Sequence, residues 1–180
     1  YLHVDRWDDY SFITMFYLSL HDESGNLHEI GNVKIGFQGQ VIGKPTHTTL
    51  GHAFQALPNG YFSVGQDVEY YQKIFNLSDS IKNKILESLK DIAYSSEAMA
   101  LAETEAVFKT SLLRDVSLSV IKGQFTRVIE GKNPLTNFEF KFMRPATEKI
   151  SGIELMFKVE IDEKPSTNIH AIIGRNGVGK

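Results

Sequence analysis

The sequence predicts an α/β protein. Over the 180 residues given, we expect the strands and helices in separate regions, as in an α+β fold. Three observations predict this class. Both ends of the chain are rich in β-branched and aromatic residues, with apolar and polar residues alternating in the last third, which predicts strands. In the middle, apolar residues recur at helical spacing, and a glycine-rich loop comes last. We expect first strands over 1–35, a loop-rich and helical insertion over 36–135, and strands that lead into the loop over 136–180.

The composition narrows the class of protein. A hydrophobic content of 42% supports a buried core, and a net charge of -3 gives no overall electrostatic reason to bind nucleic acid. The absence of cysteine excludes disulfides, thiolate metal sites and cysteine nucleophiles, and fits the reducing cytoplasm. No apolar run reaches the length of about 18 residues that a membrane span needs, so we expect no membrane partner. The first residue is Tyr1, and we expect both ends to be truncated.

A β-hairpin is predicted near the start of the chain. From Ser11, "SFITMFYLSL" is rich in β-branched and aromatic residues, and "HEIGNVKIGFQG" follows after a turn sequence. Gly25 and Asn26 tolerate the positive φ of a tight reversal, which predicts the tip at 22–27. Residues 36–65 are rich in glycine, so we expect loops with at most short elements there.

Helical spacing predicts the elements of the middle region. Asp67 is expected to cap a helix whose Tyr70 and Tyr71 pack inward. In the next helix, behind a cap at Ser78 or Ser80, the polar face is expected to hold Lys82, Lys84, Glu87, Lys90 and Asp91, and the apolar face Ile81, Ile85, Leu89, Ile92 and Ala93. Ser96 is expected to cap a third helix. A fourth contains Ile121, Phe125, Val128 and Ile129 and ends near Gly131.

The last third of the sequence predicts strands again. "FEFKF" places three phenylalanines on one face of a strand, and "ELMFKVEID" alternates in the same way. The apolar stretch "NIHAII" predicts a more deeply buried strand, which runs directly into "GRNGVGK".

That loop carries the chemical motif of the chain. Gly174, Gly179 and Lys180 match G-x-x-x-x-G-K, with an extra glycine at 177. Glycines let successive backbone N–H groups point inward at an anion, and lysine adds a mobile charge for the β and γ phosphates. A strand directly before the match favours nucleotide binding over a plain glycine turn.

The segment "AIIGRNGVGK" after a β-rich lead-in resembles the first half of an ATP-binding-cassette head of the SMC-like kind. "VDRWDDYSFITMFYLSL" is similar to the first strand of those heads, and "IGNVKIGFQG", "YFSVGQDVEYY" and "SLLRDV" resemble the N-terminal region of AAA-annotated ATPases in bacterial anti-phage defence operons. The loop lies later in the chain than in most such heads, so 36–135 is interpreted as an insertion.

This resemblance implies ATP and Mg²⁺ as cofactors and a dimerising ATPase that switches an effector such as a nuclease. Backbone N–H groups of Gly177, Val178, Gly179 and Lys180 would hold the phosphates, and Lys180 would be the catalytic cation. Arg175 belongs to the same loop, and Asn176 would shape it or face the partner subunit. The Ser or Thr ligand of Mg²⁺ is expected directly after Lys180, so this piece alone is not expected to hydrolyse ATP.

Two other classes of function stay open. One is a repair or chromosome-maintenance ATPase that acts on DNA directly, and the other is a module that binds nucleotide without hydrolysing it. Trp7, Tyr10 or Phe157 are candidate base contacts and Arg6 a candidate nucleotide contact, although packing roles are preferred. The aspartates of "DRWDD" are interpreted as a solvated turn, and His47 with His52 as no metal site.

Overall fold

The computed structural model describes residues 1–132, 138–147, 151–159, 170 and 171. The fold is of mixed α+β type, with a four-stranded antiparallel sheet and several helices. The chain divides into two compact units, Tyr1–Pro134 and Leu135–Lys180. Within the described ranges, no helix is long and apolar enough to cross a membrane.

The sheet of the first unit has strands in the order in which they occur in the sequence. Its strands are β1 (Leu2–Val4), β2 (Met15–His21), β3 (Leu27–Phe37) and β4 (Tyr61–Gly65), each antiparallel to its neighbour. Leu18 pairs with Leu2 on one side and with Gly31 on the other. The predicted region of loops with short elements is confirmed, since it contains the last two residues of β3, a short 3₁₀ turn (Thr46–Thr48) and β4.

The predicted hairpin is confirmed, with its tip between β2 and β3. The Asp22 carboxylate accepts hydrogen bonds from the backbone N–H groups of Ser24 and Asn26, and Gly25 has a φ of 81°. The predicted start of the first strand at Ser11 is wrong. Tyr10 and Ser11 both have positive φ, 52° and 70°, so the chain makes a tight turn there and β2 begins only at Met15.

Three helices follow β4, and their caps agree closely with the prediction. They are α1 (Val68–Phe75), α2 (Asp79–Ser88) and α3 (Ser96–Glu103). Asp67 and Ser78 cap the first two, which confirms both predictions. The cap of α3 is Ser95 and not Ser96, and its hydroxyl accepts from the N–H of Ala98.

The second helix is shorter than predicted, and this changes the position of Asp91. The helix ends at Ser88, and Lys90 takes a positive φ of 49° that turns the chain back towards β4. Asp91 then forms a parallel bridge with Ser63 and is completely buried. The prediction that it lies on a polar helix face is therefore wrong. Leu89, Ile92 and Ala93, predicted on the apolar face of this helix, are buried but follow its end, and the most buried residue within α2 is Leu86.

The last helical segment of this unit combines three short pieces. They are α4 (Leu118–Val120), a π-helical turn (Ile121–Phe125) and α5 (Thr126–Ile129). The backbone N–H of Thr126 donates to the carbonyl of Ile121 and closes the widened turn. The single hydrogen of the Thr126 hydroxyl is shared between the carbonyls of Ala93 and Ile121, at 3.1 and 3.2 Å. A separate π-helical turn covers Phe108–Leu112. The predicted helix and its end near Gly131, with φ of 73°, are confirmed.

The core of the first unit packs the sheet against these helices. Tyr70 and Tyr71 of α1 are fully buried, as predicted, and the Tyr71 ring lies 4.4 Å from that of Phe125. A side chain added at Gly65 would meet the Tyr70 ring at 2.2 Å. The closeness of β4 to α1 thus depends on a glycine at this position.

Gly65→Ala is expected to lower the local free energy of opening by about 1–3 kcal/mol, because the fully buried Tyr70 ring must shift against the core to admit the added carbon. The measurement is amide hydrogen exchange of β4 in the full-length protein. Gly51→Ala is the matched control, since nothing lies closer than 3.6 Å to its added carbon and its expected change is within about 0.5 kcal/mol. Equal protection in both variants would contradict this packing.

The second unit contains a two-stranded antiparallel hairpin of β5 (Phe138–Arg144) and β6 (Ile153–Val159). Both predicted strands are confirmed. Phe140 pairs with Phe157, and their rings stack at 4.7 Å. Phe138, Phe140 and Phe142 share one face with Leu155 and Phe157, while Met143 and Met156 lie on the other face with Lys141 and Glu154, which form an ion pair.

The predicted strand "NIHAII" is described only at His170 and Ala171. Both are exposed, and neither belongs to a strand. The predicted nucleotide loop, 174–180, lies outside the described residues.

Candidate functional site

His170, one of the last described residues before the predicted loop in the sequence, lies beside the aromatic face of the β5–β6 hairpin. The His170 ring packs edge-on against Phe157, with 5.3 Å between the ring centroids. Phe157 is half-buried and stacked on Phe140, so it fulfils the preferred packing role. This contact is within the second unit, and it places His170 four residues before Gly174.

Two of the predicted base-contact candidates come together on the surface of the first unit. The Arg114 guanidinium lies over the Trp7 ring at 5.7 Å and over the Tyr10 ring at 5.1 Å. Trp7 is 53% exposed and Tyr10 is 72% exposed. We call these three residues the aromatic–arginine cluster. Arg6, the other candidate, is exposed.

A strained turn holds this cluster in place. Asp9 and Phe12 exchange two backbone hydrogen bonds, of 2.8 and 3.0 Å, and the two residues between them both have positive φ. Neither Tyr10 nor Ser11 is a glycine, and each such residue costs about 1–2 kcal/mol. The Asp8 carboxylate stabilises the turn by accepting from the N–H of Ser11.

Asp9 anchors the cluster from below. One carboxylate oxygen accepts from Arg114 at 2.8 Å and from the Trp7 indole at 3.0 Å. The other oxygen lies 2.8 Å from the Lys34 ammonium and accepts from the Ser111 hydroxyl at 2.9 Å. Both side chains of the Asp9–Lys34 pair are completely buried. The interpretation of Asp9 as part of a solvated turn is therefore wrong.

Electrostatics keep Asp9 ionised. Burial alone raises the pKa of its carboxyl, but the hydrogen bonds from Lys34, Ser111 and Arg114 outweigh burial and hold the pKa below its usual value. Lys34 also donates to the Ser111 carbonyl at 2.9 Å and to Asp115 at 3.1 Å. This arrangement holds the Arg114 guanidinium beside two exposed aromatic rings.

A second buried carboxyl links α1 to the end of α2. The Tyr71 hydroxyl donates to the Asp91 carboxylate at 3.0 Å and accepts from the N–H of Gly65 at 2.9 Å. The N–H of Ala93 also donates to Asp91, at 2.8 Å. Burial is the main cause that raises the pKa of Asp91 to about 7.

Sequence reasoning missed most of these residues. Asp9, Lys34 and Ser111 are separated by 25 and by 77 positions, so no local pattern connects them. The available signal was a lysine, Lys34, within the otherwise apolar end of β3. Across the described ranges, no group of three His, Asp or Glu side chains could hold a metal ion.

Comparison with known proteins adds two relatives. Protein ea59 of Escherichia phage lambda is 45% identical over 180 residues, which is 100% of this chain and 34% of that protein. A protein of Acetoanaerobium sticklandii named 2-isopropylmalate synthase is 28% identical over 135 residues, 72% of this chain and 23% of that protein. The chain thus spans about a third or less of the length of these relatives. No protein-family description and no solved structure matches it.

Proposed function

We propose that the full-length protein binds ATP and hydrolyses it as a dimerising ATPase of the ATP-binding-cassette, SMC-like type. The observation that carries this proposal is the G-x-x-x-x-G-K match at Gly174, Gly179 and Lys180, preceded by an apolar stretch. The donor set suits a triphosphate, because glycine-rich backbone offers converging N–H groups and lysine offers a positive charge.

The proposed roles within the loop follow from its residue types. Backbone N–H groups of Gly177, Val178, Gly179 and Lys180 bind phosphate oxygens, and the Lys180 ammonium stabilises charge on the β and γ phosphates. Arg175 and Asn176 shape the loop or face a partner subunit. Mg²⁺, when bound with ATP, neutralises phosphate charge.

In the cell, we propose a homodimer or higher oligomer whose heads close on ATP and reopen after hydrolysis. Such a two-state switch can control an effector, for instance a nuclease, in the cytoplasm. Anti-phage defence is the proposed setting. Since one relative belongs to a phage, exclusion of a second phage is a suitable assay for this role.

Lys180→Ala in the full-length protein is expected to lower ATP turnover by about 100-fold or more, because the transition state loses a charge directed at the phosphates. The measurement is steady-state phosphate release with Mg²⁺, with and without DNA. Lys109→Ala is the matched control, because Lys109 is an exposed lysine of the first unit.

The outcomes separate the proposed classes of protein. Turnover that DNA strongly stimulates would favour the repair or chromosome-maintenance class. Saturable ATP binding without turnover would favour the non-hydrolysing module. Turnover that is the same in wild type and Lys180→Ala would contradict the proposed site.

A further inference from the structure

The first unit contains a cavity of about 610 Å³ that lies apart from the aromatic–arginine cluster. Its floor is one face of the β1–β2 pair. Residues of a strand alternate between faces, and the register pairs Leu2 with Leu18 and Val4 with Phe16, so these four side chains and Leu20 point to one side. Phe16 and Leu18 are buried, which makes the floor apolar and continuous with the core.

One side of α2 forms the wall of this cavity. Lys84, Ile85 and Ser88 line it, and their spacing places them on one helical face. The more buried Leu86 belongs to the core, at 1% exposure. The loop of residues 47–55 forms the rim and contributes His47 and His52.

The lining of the cavity contains basic side chains and no acidic one. Among all the residues that line the cavity there is one lysine and there are two histidines, but there is no aspartate or glutamate. This contrasts with the whole chain, in which acidic residues outnumber lysine and arginine by 22 to 19. Within the described part of the chain, Lys84 has no ion pair and no hydrogen bond, while its neighbour Lys82 is paired with Asp79.

We propose that this cavity binds a small amphipathic anion, with an apolar body on the β1–β2 floor and a carboxylate at Lys84, His47 and His52. The volume lies within the range of about 300–1,000 Å³ that is usual for small-ligand sites, and such sites combine apolar walls with a few polar groups. Because Lys84 has no ion pair in the described part of the chain, it can attract the carboxylate of a ligand without first losing a partner within the protein. A straight-chain fatty acid is the simplest ligand of this class.

The test compares three ten-carbon probes on the full-length protein, each below its self-association concentration. Decanoate, decanol and decylammonium each have ten carbons in one straight chain and differ in the charge of the head. Calorimetry gives each affinity, and amide exchange shows whether β1, β2 and α2 become protected. We expect decanoate to bind most tightly, decanol about fivefold or more weakly, and the cation most weakly.

Two variants assign the binding to this cavity. Lys84→Met keeps the apolar stem and is expected to reduce decanoate affinity to about that of decanol while decanol is unaffected. Leu50→Trp fills the cavity and is expected to weaken both probes. Lys109→Met is the control, because this residue does not line the cavity.

Equal affinity for the anion and the cation would overturn the proposal. So would unchanged decanoate binding in Lys84→Met, protection only outside β1, β2, α2 and the loop of residues 47–55, or the absence of binding by any probe. None of these measurements involves Lys180, so their outcome is independent of ATP turnover.

Discussion

Lys34→Met is expected to lower the free energy of opening of the β-sheet by about 3–5 kcal/mol. The substitution leaves the Asp9 carboxylate in a completely buried position without its ammonium partner at 2.8 Å. Removing one partner of a buried ion pair is costly because the remaining charge stays desolvated. The measurement is amide hydrogen exchange of β3 in the full-length protein, which reports the local free energy of opening.

An exposed ion pair serves as the matched control, because it shows how much of the Lys34→Met effect comes from the burial of the Asp9–Lys34 pair. Lys73 pairs with Glu69 at 3.0 Å on the exposed face of α1, where solvent screens the ion pair, so Lys73→Met is expected to change the free energy of opening far less than Lys34→Met does. The double variant Asp9→Leu with Lys34→Met is expected to be less destabilised than the sum of the two single variants. A Lys34→Met effect no larger than that of Lys73→Met would contradict the buried pair.

Asp91→Asn is expected to remove a large pH dependence of stability. The pKa of Asp91 is raised by burial to about 7, above its ordinary value of 3.8, so the folded protein binds a proton that the unfolded chain releases. The stability from this group is fully present below pH 3.8 and is lost as pH rises through 7. Between pH 4.5 and 7.5, the wild type should lose about 3 kcal/mol relative to Asp91→Asn.

The measurement is the free energy of opening of β4 across this pH range, again from amide exchange in the full-length protein. At each pH, subtracting the free energy of opening of Asp91→Asn from that of the wild type cancels the contributions of the other carboxyls. Asp67→Asn is the control, because asparagine caps a helix as well as aspartate does. A difference that stays constant with pH, or that grows in favour of the wild type, would contradict a buried Asp91 with a raised pKa.

Local signals in the sequence were sufficient for much of the secondary structure. The hairpin tip at 22–27, the caps at Asp67 and Ser78, and the alternating phenylalanines of β5 each depend on residues within a few positions of one another. Such short-range patterns reflect turn chemistry, capping and side-chain periodicity, which do not require knowledge of the rest of the fold.

The errors occurred where tertiary structure overrides the local pattern. Asp9 and Asp91 both follow polar stretches and suggest solvated positions, yet both are buried because residues far along the chain supply their partners. The turn at Tyr10 and Ser11 is a similar case, since neither residue favours positive φ. The surrounding hydrogen bonds of Asp8 and Asp9 stabilise that conformation.

The candidate sites also differ in how far apart their residues lie in the sequence. The nucleotide loop is a contiguous motif, so its prediction needed only residues 174–180. The aromatic–arginine cluster required Trp7, Tyr10 and Arg114 to meet across more than 100 positions. The cavity required β1, β2, α2 and a loop at once. Only the three-dimensional structure could bring these groups together.

Equilibrium binding of Mg²⁺-ATP to the full-length protein is the most direct test of the proposed nucleotide site. Titration calorimetry on wild type, Lys180→Ala and Lys109→Ala should show saturable binding by the wild type and by Lys109→Ala. Lys180→Ala should bind at least about tenfold more weakly, since a charge-assisted hydrogen bond contributes about 1.5–3 kcal/mol. No detectable ATP binding by the wild type, or equal affinity in all three proteins, would contradict the proposed function.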